Sequence, residues 1–98
     1  MKSVQVIGRF VDDEGNPIDG ECRFIPSVIW LDEDDVSYPV PAPEVRLMNG
    51  KVLVNLIRTD QHEIPWYYTV HCPVGSWKIQ VQEDGPLRLK DLLPNRFA

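Results

Sequence analysis

The chain has 98 residues, which fit a single domain over residues 1–98 and leave no room for a second one. Its 15 acidic and 10 basic residues give a formal net charge of −5, which argues against nucleic acid or an anionic membrane surface as the main partner. No apolar run approaches the roughly twenty residues of a membrane span, and Met1 leads into an alternating segment instead of the apolar stretch of a signal peptide. We therefore expect no membrane insertion, and a chain that is complete from its first residue and is made in the cytoplasm.

The first quarter of the chain predicts two strands. Polar and apolar residues alternate over 3–11 and again over 21–26, which is the pattern of a strand with one buried face. The segment between them, DDEGNPIDG, is rich in Asp, Gly, Asn and Pro, the residues that favour chain reversal. The second strand is therefore expected to run antiparallel to the first, across a turn.

The segment 27–43 breaks the alternation and predicts a long connection. It holds an acidic run, Asp32 to Asp35, and then prolines at positions 39, 41 and 43. Because proline cannot donate a hydrogen bond to a neighbouring strand, residues 38–43 are expected to run extended along a sheet edge. The acidic run lacks the spacing of a calcium-binding EF-hand loop, so we interpret it as a solvated loop or as one side of an electrostatic contact with a neighbouring subunit.

A strong hairpin signal follows the prolines. Asn49 and Gly50 separate two alternating runs, and this pair favours a two-residue type I′ turn, in which both residues have positive φ. Strands are therefore predicted over 45–48 and 51–58.

The last third of the chain predicts more strands and one helical turn. Alternation over 66–72 and over 77–81 indicates two strands with a turn between them, and residues 87–89 indicate a short final strand. One helical turn is expected over 90–93. Six to seven short strands separated by turns predict an all-β fold, a single antiparallel β-sandwich of the immunoglobulin-like or prealbumin-like type, with a small barrel as the rival.

The histidines and cysteines of the sequence could bind a metal ion or form a disulfide. His62, His71, Cys22 and Cys72 are the soft metal ligands of the sequence, and none of them has the spacing of a zinc site, so no metal is expected. The two cysteines are predicted to be buried free thiols. The alternative is a bridge between two sheets as in immunoglobulin domains, but Val70 stands where those domains carry a tyrosine.

Catalytic motifs are also missing from the sequence. No serine lies in a nucleophile-elbow context, and the glycines are scattered singly, so there is no phosphate-binding loop. No carboxylate lies in an apolar stretch that would shift its pKa for acid or base catalysis. We therefore expect a protein that is not an enzyme and that uses no cofactor.

Aromatic residues divide into core and interface candidates. Trp66 and Trp77 are in phase with the predicted buried faces, whereas three others are out of phase or lie in the long connection. With the alternating prolines, these three make up the candidate interface: Trp30, Tyr38, Pro39, Pro41, Pro43 and Tyr67.

Longer motifs resemble a known group of proteins. The opening "VIGRFVDDEGNPIDGECRFIP" looks like the first hairpin of carboxypeptidase-regulatory-like and transthyretin-like sandwich domains. Followed by "PAPEVRLMNGKVLVNLIRTD", "WYYTVHCPVGSWKIQV" and "LKDLLP", it is similar, over nearly the whole chain, to small domains in minor tail proteins of siphophages that infect actinobacteria. The stretch from Ile64 to Trp66 departs from that pattern. The resemblance implies a virion part without catalytic residues, arranged as a symmetric ring or trimer or decorating the tail or capsid.

These observations lead to one expected function and two alternatives. We expect a non-enzymatic structural protein of a phage virion, a minor tail or tail-tip protein that is made in the host cytoplasm. It would contact copies of itself and other tail proteins. The alternatives are a carbohydrate-binding module that stacks a host-surface glycan on Trp30, Tyr38 or Tyr67, and a decoration protein of the capsid or tail.

Overall fold

A computed structural model describes residues 3–93 of the chain. Within them the chain forms nine strands and one short helix, in this order: β1 (Ser3–Arg9), β2 (Glu21–Pro26), β3 (Trp30–Glu33), β4 (Val36–Pro39), β5 (Glu44–Arg46), β6 (Lys51–Ile57), β7 (Tyr68–Cys72), β8 (Gly75–Ile79), β9 (Leu87–Arg88) and α1 (Leu89–Leu92).

Two sheets form the body of the molecule. The three-stranded sheet has the order β6-β1-β9, and the four-stranded sheet has the order β5-β2-β7-β8. β1 pairs with β6 in antiparallel register and with β9 in parallel register. β2 pairs with β5 and β7, and β7 pairs with β8, all antiparallel. The predicted all-β sandwich is confirmed.

The core lies between these two sheets and follows the alternation of the strands. Along β1, β2 and β6 every second residue is buried, because successive side chains of a strand point to opposite faces. Full burial of a large apolar side chain contributes about 1.5–3 kcal/mol to folding. The main contributors are Val4, Val6, Val52, Val54 and Leu56 from one sheet, and Cys22, Phe24, Tyr68, Val70 and Ile79 from the other.

The first two strands do not pair with each other, which corrects the expected first hairpin. Both edges of β1 are occupied, by β6 and by β9, so the chain after β1 crosses to the other sheet. The segment between β1 and β2, residues 10–20, is attached to the Asn49-Gly50 turn, because the Gly50 carbonyl oxygen accepts a hydrogen bond from the Phe10 N–H at 2.8 Å. The bounds predicted for the second strand are correct, but its predicted partner is wrong.

The Asn49-Gly50 turn is present but links the two sheets. Asn49 and Gly50 have φ of 53° and 75°, as a type I′ turn requires. Met48 and Lys51 exchange two backbone hydrogen bonds of 3.0 and 2.9 Å around it. The strands on either side, β5 and β6, then diverge into different sheets. The local signal therefore predicted the turn correctly, but it did not predict a paired hairpin.

A third, two-stranded sheet replaces part of the predicted long connection. β3 and β4 pair from Trp30 opposite Pro39 to Glu33 opposite Val36, around a two-residue turn. Asp34 and Asp35 form this turn with φ of 53° and 61°. An Asp-Asp pair is a weaker turn signal than Asn-Gly, which is why the sequence did not indicate the hairpin. This hairpin also raises the number of strands above the six to seven that were predicted. We call residues 30–39 the arm.

The end of the described chain agrees with the predictions within two residues. β8 begins at Gly75 rather than at 77, and α1 begins at Leu89 rather than at 90. β9 covers Leu87–Arg88 and ends where the helix begins. No helix within residues 3–93 is long and apolar enough to cross a membrane.

Candidate interaction surfaces

The six predicted interface residues do not form one surface. Three of them, Trp30, Tyr38 and Pro39, lie on the arm, and Pro41 is exposed just after it. Pro43 is half-buried, and its carbonyl oxygen accepts a hydrogen bond from the Phe24 N–H at 2.9 Å. The predicted course of residues 38–43 along a sheet edge is therefore correct at Pro43, which lies beside β2, whereas Tyr38 and Pro39 are paired with β3 in the arm.

One face of the arm holds it to the sandwich. Leu31 is buried with the core, and Tyr38 lies directly opposite it on the same face. At the base, the Val40 N–H donates a 2.9 Å hydrogen bond to the Ile29 carbonyl oxygen, and the Val40 side chain is buried. Two buried side chains therefore anchor the arm, far fewer than anchor the strands of either large sheet.

The other face of the arm is exposed. Trp30 and Pro39 are directly paired, so their side chains share this face, and 58% of the Trp30 surface is open to solvent. Ile29, just before the arm, is 75% exposed. Val36 is 47% exposed but lies on the opposite face, because it pairs with Glu33 on the side of Leu31 and Tyr38. Exposed large apolar side chains such as Trp30 and Ile29 are typical of a surface that another molecule covers.

The tip of the arm carries four consecutive carboxylates, Asp32 to Asp35. The Ser37 hydroxyl donates a hydrogen bond to the Asp32 carboxylate, which ties the two strands together. None of the ion pairs formed within residues 3–93 involves any of the four. The tip is therefore a local concentration of uncompensated negative charge.

Tyr67 lies apart from the arm residues, in a separate polar groove. Its backbone is held to Ser27 by two hydrogen bonds of 2.8 and 3.0 Å, and the Lys78 ammonium lies 5.0 Å from the centre of its ring. The groove measures about 480 Å³ and is also lined by Gln80 and Gln82. Because the lysine covers the ring face, Tyr67 does not present a free platform for stacking.

The structure adds a surface that the sequence did not indicate, a basic groove on the three-stranded sheet. The groove measures about 390 Å³, and its apolar part is lined by Ile7 and Phe10 of the β1 segment and by Leu89 and Leu93 of the helical end. Four basic residues also line it, and none of its lining residues is acidic.

Strand pairing brings the basic residues of the groove together. Arg9 and Lys51 are directly opposite on β1 and β6, and Arg88 and Lys90 approach from β9 and α1. Arg88 forms a 3.1 Å ion pair with Asp91, whereas the other three have no ion-pair partner in the described part of the chain. In the sequence each of these residues looks like an ordinary exposed strand or helix position, and only the register places them side by side.

The two cysteines are close neighbours, but not in the arrangement considered from the sequence. Cys22 and Cys72 lie on the adjacent strands β2 and β7 of one sheet rather than facing each other between two sheets. Both are free thiols, with their Sγ atoms 2.6 Å apart. This hydrogen bond lowers the pKa of Cys22, and with burial it raises the pKa of Cys72 above its usual range. The prediction of two free thiols agrees with this arrangement, but only Cys22 is buried, as predicted, whereas Cys72 is half-buried.

The two histidines and the acidic residues do not assemble into a metal site. His71 shares a 2.7 Å hydrogen bond with the Ser76 hydroxyl on the exposed side of the four-stranded sheet. No group of three or more His, Cys, Asp or Glu side chains that could hold a metal ion occurs between residues 3 and 93.

No protein-family model matches the chain, and no curated protein matches it. The arm and the basic groove are therefore interpreted from their own geometry and charge.

Proposed function

We propose that the chain is a non-enzymatic structural protein of a phage virion, a minor tail or tail-tip protein whose contacts with other subunits are made through the arm. The exposed apolar side chains at the base of the arm, Trp30 with Pro39 opposite it and Ile29 next to it in the chain, are the observation that carries this proposal. The virion setting is supported by the resemblance of the sequence motifs to small domains of minor tail proteins.

The energetics of the arm favour a contact role. A two-stranded hairpin by itself is marginally stable in water, and this one has Leu31 as its buried anchor. Its exposed tryptophan is of the residue type that most often dominates the binding energy of protein interfaces. A partner that covers Trp30 and Ile29 would remove from water apolar surface that the monomer leaves open.

The geometry supports subunit contacts more than glycan binding. Trp30 and Tyr38 lie on opposite faces of the arm, so they cannot form one flat platform for a sugar ring. Tyr67, the third aromatic candidate, has the Lys78 ammonium over its ring. A glycan site built from these three residues would require the arm to rearrange.

The experiment that tests the proposal compares particles assembled with three forms of the chain. Phage particles are purified from the host that carries the gene, with the chain supplied as wild type, as Trp30→Ala or as Met48→Ala, and its amount is measured by mass spectrometry. Met48 is the matched control because it is 70% exposed but lies at the turn between the sheets. We expect the wild type and Met48→Ala in the particles and a loss of at least about tenfold for Trp30→Ala.

Two results would contradict the proposal. One is the absence of the wild-type chain from purified particles. The other is saturable quenching of tryptophan fluorescence by host polysaccharide that Trp30→Ala abolishes while particle incorporation is unchanged, which would favour the carbohydrate-binding alternative.

A further inference from the structure

We propose that the acidic tip of the arm of one copy docks in the basic groove of a second copy. This inference rests on the proposed function, because it takes the arm to be a subunit contact, and it names the surface that receives it. The occupant of the groove is thus a segment of this same chain, Asp32 to Asp35, supplied by another molecule.

The basic groove brings together positive charges that an anion would stabilise. Arg9 and Lys51 are directly opposite in the β1–β6 register, where side chains of neighbouring strands lie about 5 Å apart and like charges destabilise the sheet. Lys90 adds a third positive charge to the lining, and no lining residue is acidic. An incoming carboxylate between Arg9 and Lys51 would convert this repulsion into attraction.

The tip of the arm has an excess of negative charge. Four carboxylates are consecutive on a hairpin two strands wide, and no described cation pairs with them. The chain as a whole is acidic, with a net charge of −5, yet four of its ten basic residues line this one groove. The tip and the groove are therefore complementary in sign, with four carboxylates on the tip and, among the described residues of the groove, three cations that have no ion-pair partner.

Apolar residues accompany the charges on both sides. Val36, beside the tip turn, is 47% exposed. At the groove, Ile7 and Leu53 are directly opposite on β1 and β6 and are 43% and 58% exposed, next to the Arg9 and Lys51 pair. The groove volume of about 390 Å³ suits a hairpin tip rather than a whole domain face.

The positions of the two surfaces make the contact intermolecular. β2 begins at Glu21, beside the turn that leads into Lys51 and the groove, and it runs about 20 Å before the chain continues to the arm. All residues that line the groove belong to β1, β6, β9, α1 and their immediate neighbours, and none belongs to the arm. A contact between two different surfaces of identical chains is heterologous, so it builds a ring when the rotation closes and a filament when it does not.

A charge-swap experiment on the full chain tests the contact. The tip variant carries Asp32→Lys and Glu33→Lys, which are strand positions, and the groove variant carries Arg9→Glu and Lys51→Glu. Sedimentation velocity is measured for the wild type, for each variant alone and for their equimolar mixture, at low and at high salt.

The expected pattern is specific. The wild type associates at low salt and dissociates at high salt, and each variant alone associates at least about tenfold more weakly. The mixture associates again, because the unchanged acidic tip of the groove variant meets the unchanged basic groove of the tip variant. The lysines introduced at positions 32 and 33 can also pair with the glutamates introduced at positions 9 and 51. A control with Arg23→Glu and Lys78→Glu changes the net charge equally, away from the groove, and should associate like the wild type.

A photo-crosslinking residue at Leu53 identifies the occupant directly. Crosslinks to residues 30–39 of another molecule support the proposal, whereas crosslinks to residues 94–98 of the same molecule, or none at all, would overturn it. A wild type that stays monomeric at every concentration, or a mixture that fails to associate, would also overturn it. These outcomes leave the proposed function intact if Trp30→Ala still removes the chain from particles, so the two failures are distinguishable.

Discussion

The sandwich and the arm are both built from antiparallel strands, but different interactions hold them. In the sandwich every second side chain of the inner strands is buried between two sheets, and residues such as Val6, Phe24 and Val70 have no exposed surface. In the arm one side chain of β3 is buried, and β4 is exposed along its whole length. Strand pairing by itself therefore contributes little to the stability of the fold. The main contribution comes from side chains that are buried against a second sheet.

The difference predicts that the largest loss of stability comes from the sandwich. Phe24→Ala removes a fully buried ring between the sheets and should lower the free energy of unfolding by about 3–5 kcal/mol. Urea denaturation followed by far-UV circular dichroism measures it. A loss below about 1 kcal/mol would mean that the core at β2 collapses around the cavity or is less well packed than described.

A disulfide would strengthen the sandwich without changing the arm. Glutathione disulfide should oxidise Cys22 and Cys72 to an intramolecular disulfide while two glutathione thiols are released, because the thiols face each other on adjacent strands. The cross-link should raise the free energy of unfolding by about 2–4 kcal/mol. Thiol labelling and mass spectrometry detect the bond, and Cys72→Ser is the control. Covalent dimers of the wild type instead of a monomeric disulfide would contradict the strand register.

The turn between the sheets should tolerate substitution less well than an open turn. A Cβ at Gly50 would collide with the carbonyl oxygen of Phe10, and its φ is 75°, so Gly50→Ala should destabilise the chain by about 1–3 kcal/mol. Gly15 also has positive φ, 86°, but nothing lies near its Cβ position, so Gly15→Ala should cost less. Thermal unfolding of the two variants compares them. Equal shifts would show that only the backbone conformation matters, and not the close approach to Phe10.

Loss of the exposed arm tryptophan should leave stability nearly unchanged. Trp30→Ala is expected to alter the free energy of unfolding by no more than about 0.5 kcal/mol, because the side chain is 58% exposed and lies on the outer face of the arm. The same variant should lose particle incorporation. If urea denaturation instead shows a loss comparable to that of Phe24→Ala, the arm belongs to the core, and the contrast between the two regions fails.

The smallest expected effect is a change in stability with pH that depends on Asp12, in the segment between β1 and β2. The Asp12 carboxylate accepts hydrogen bonds from the N–H groups of Asn16 and Glu14 at 2.8 and 2.9 Å, which hold its pKa below 3.8. Because the folded pKa is the lower one, this contribution is complete above the unfolded pKa and is lost as pH falls through the folded pKa. Asp12→Asn should therefore be slightly less stable than the wild type at neutral pH and equal to it in acid. Urea denaturation at several pH values measures this. If the two proteins still differ in the free energy of unfolding in acid, the ionised Asp12 carboxylate is not the source of the difference.

Part of this arrangement was accessible from local sequence patterns. Alternation correctly predicted the strand at 21–26 and a first strand with one buried face, and the Asn-Gly pair correctly predicted the positive φ of Asn49 and Gly50. Each of these depends on neighbouring residues: side chains of a strand alternate between two faces, and a two-residue turn selects residues that tolerate positive φ. Trp30 was also predicted to lie outside the core, and its side chain is 58% exposed.

The tertiary structure alone decided which strands pair. Nothing in the pattern of β1 indicates that β6 and β9, rather than β2, pair with its two edges. This pairing determines which residue lies opposite Arg9. With β6 in place, Arg9 lies opposite Lys51 and a basic groove forms; in a β1–β2 hairpin it would not. Pairing across many residues depends on which buried faces fit together in the core, a property of the whole chain. The local sequence therefore determined the strands and turns, whereas the packed sandwich determined which side chains lie together on its surface.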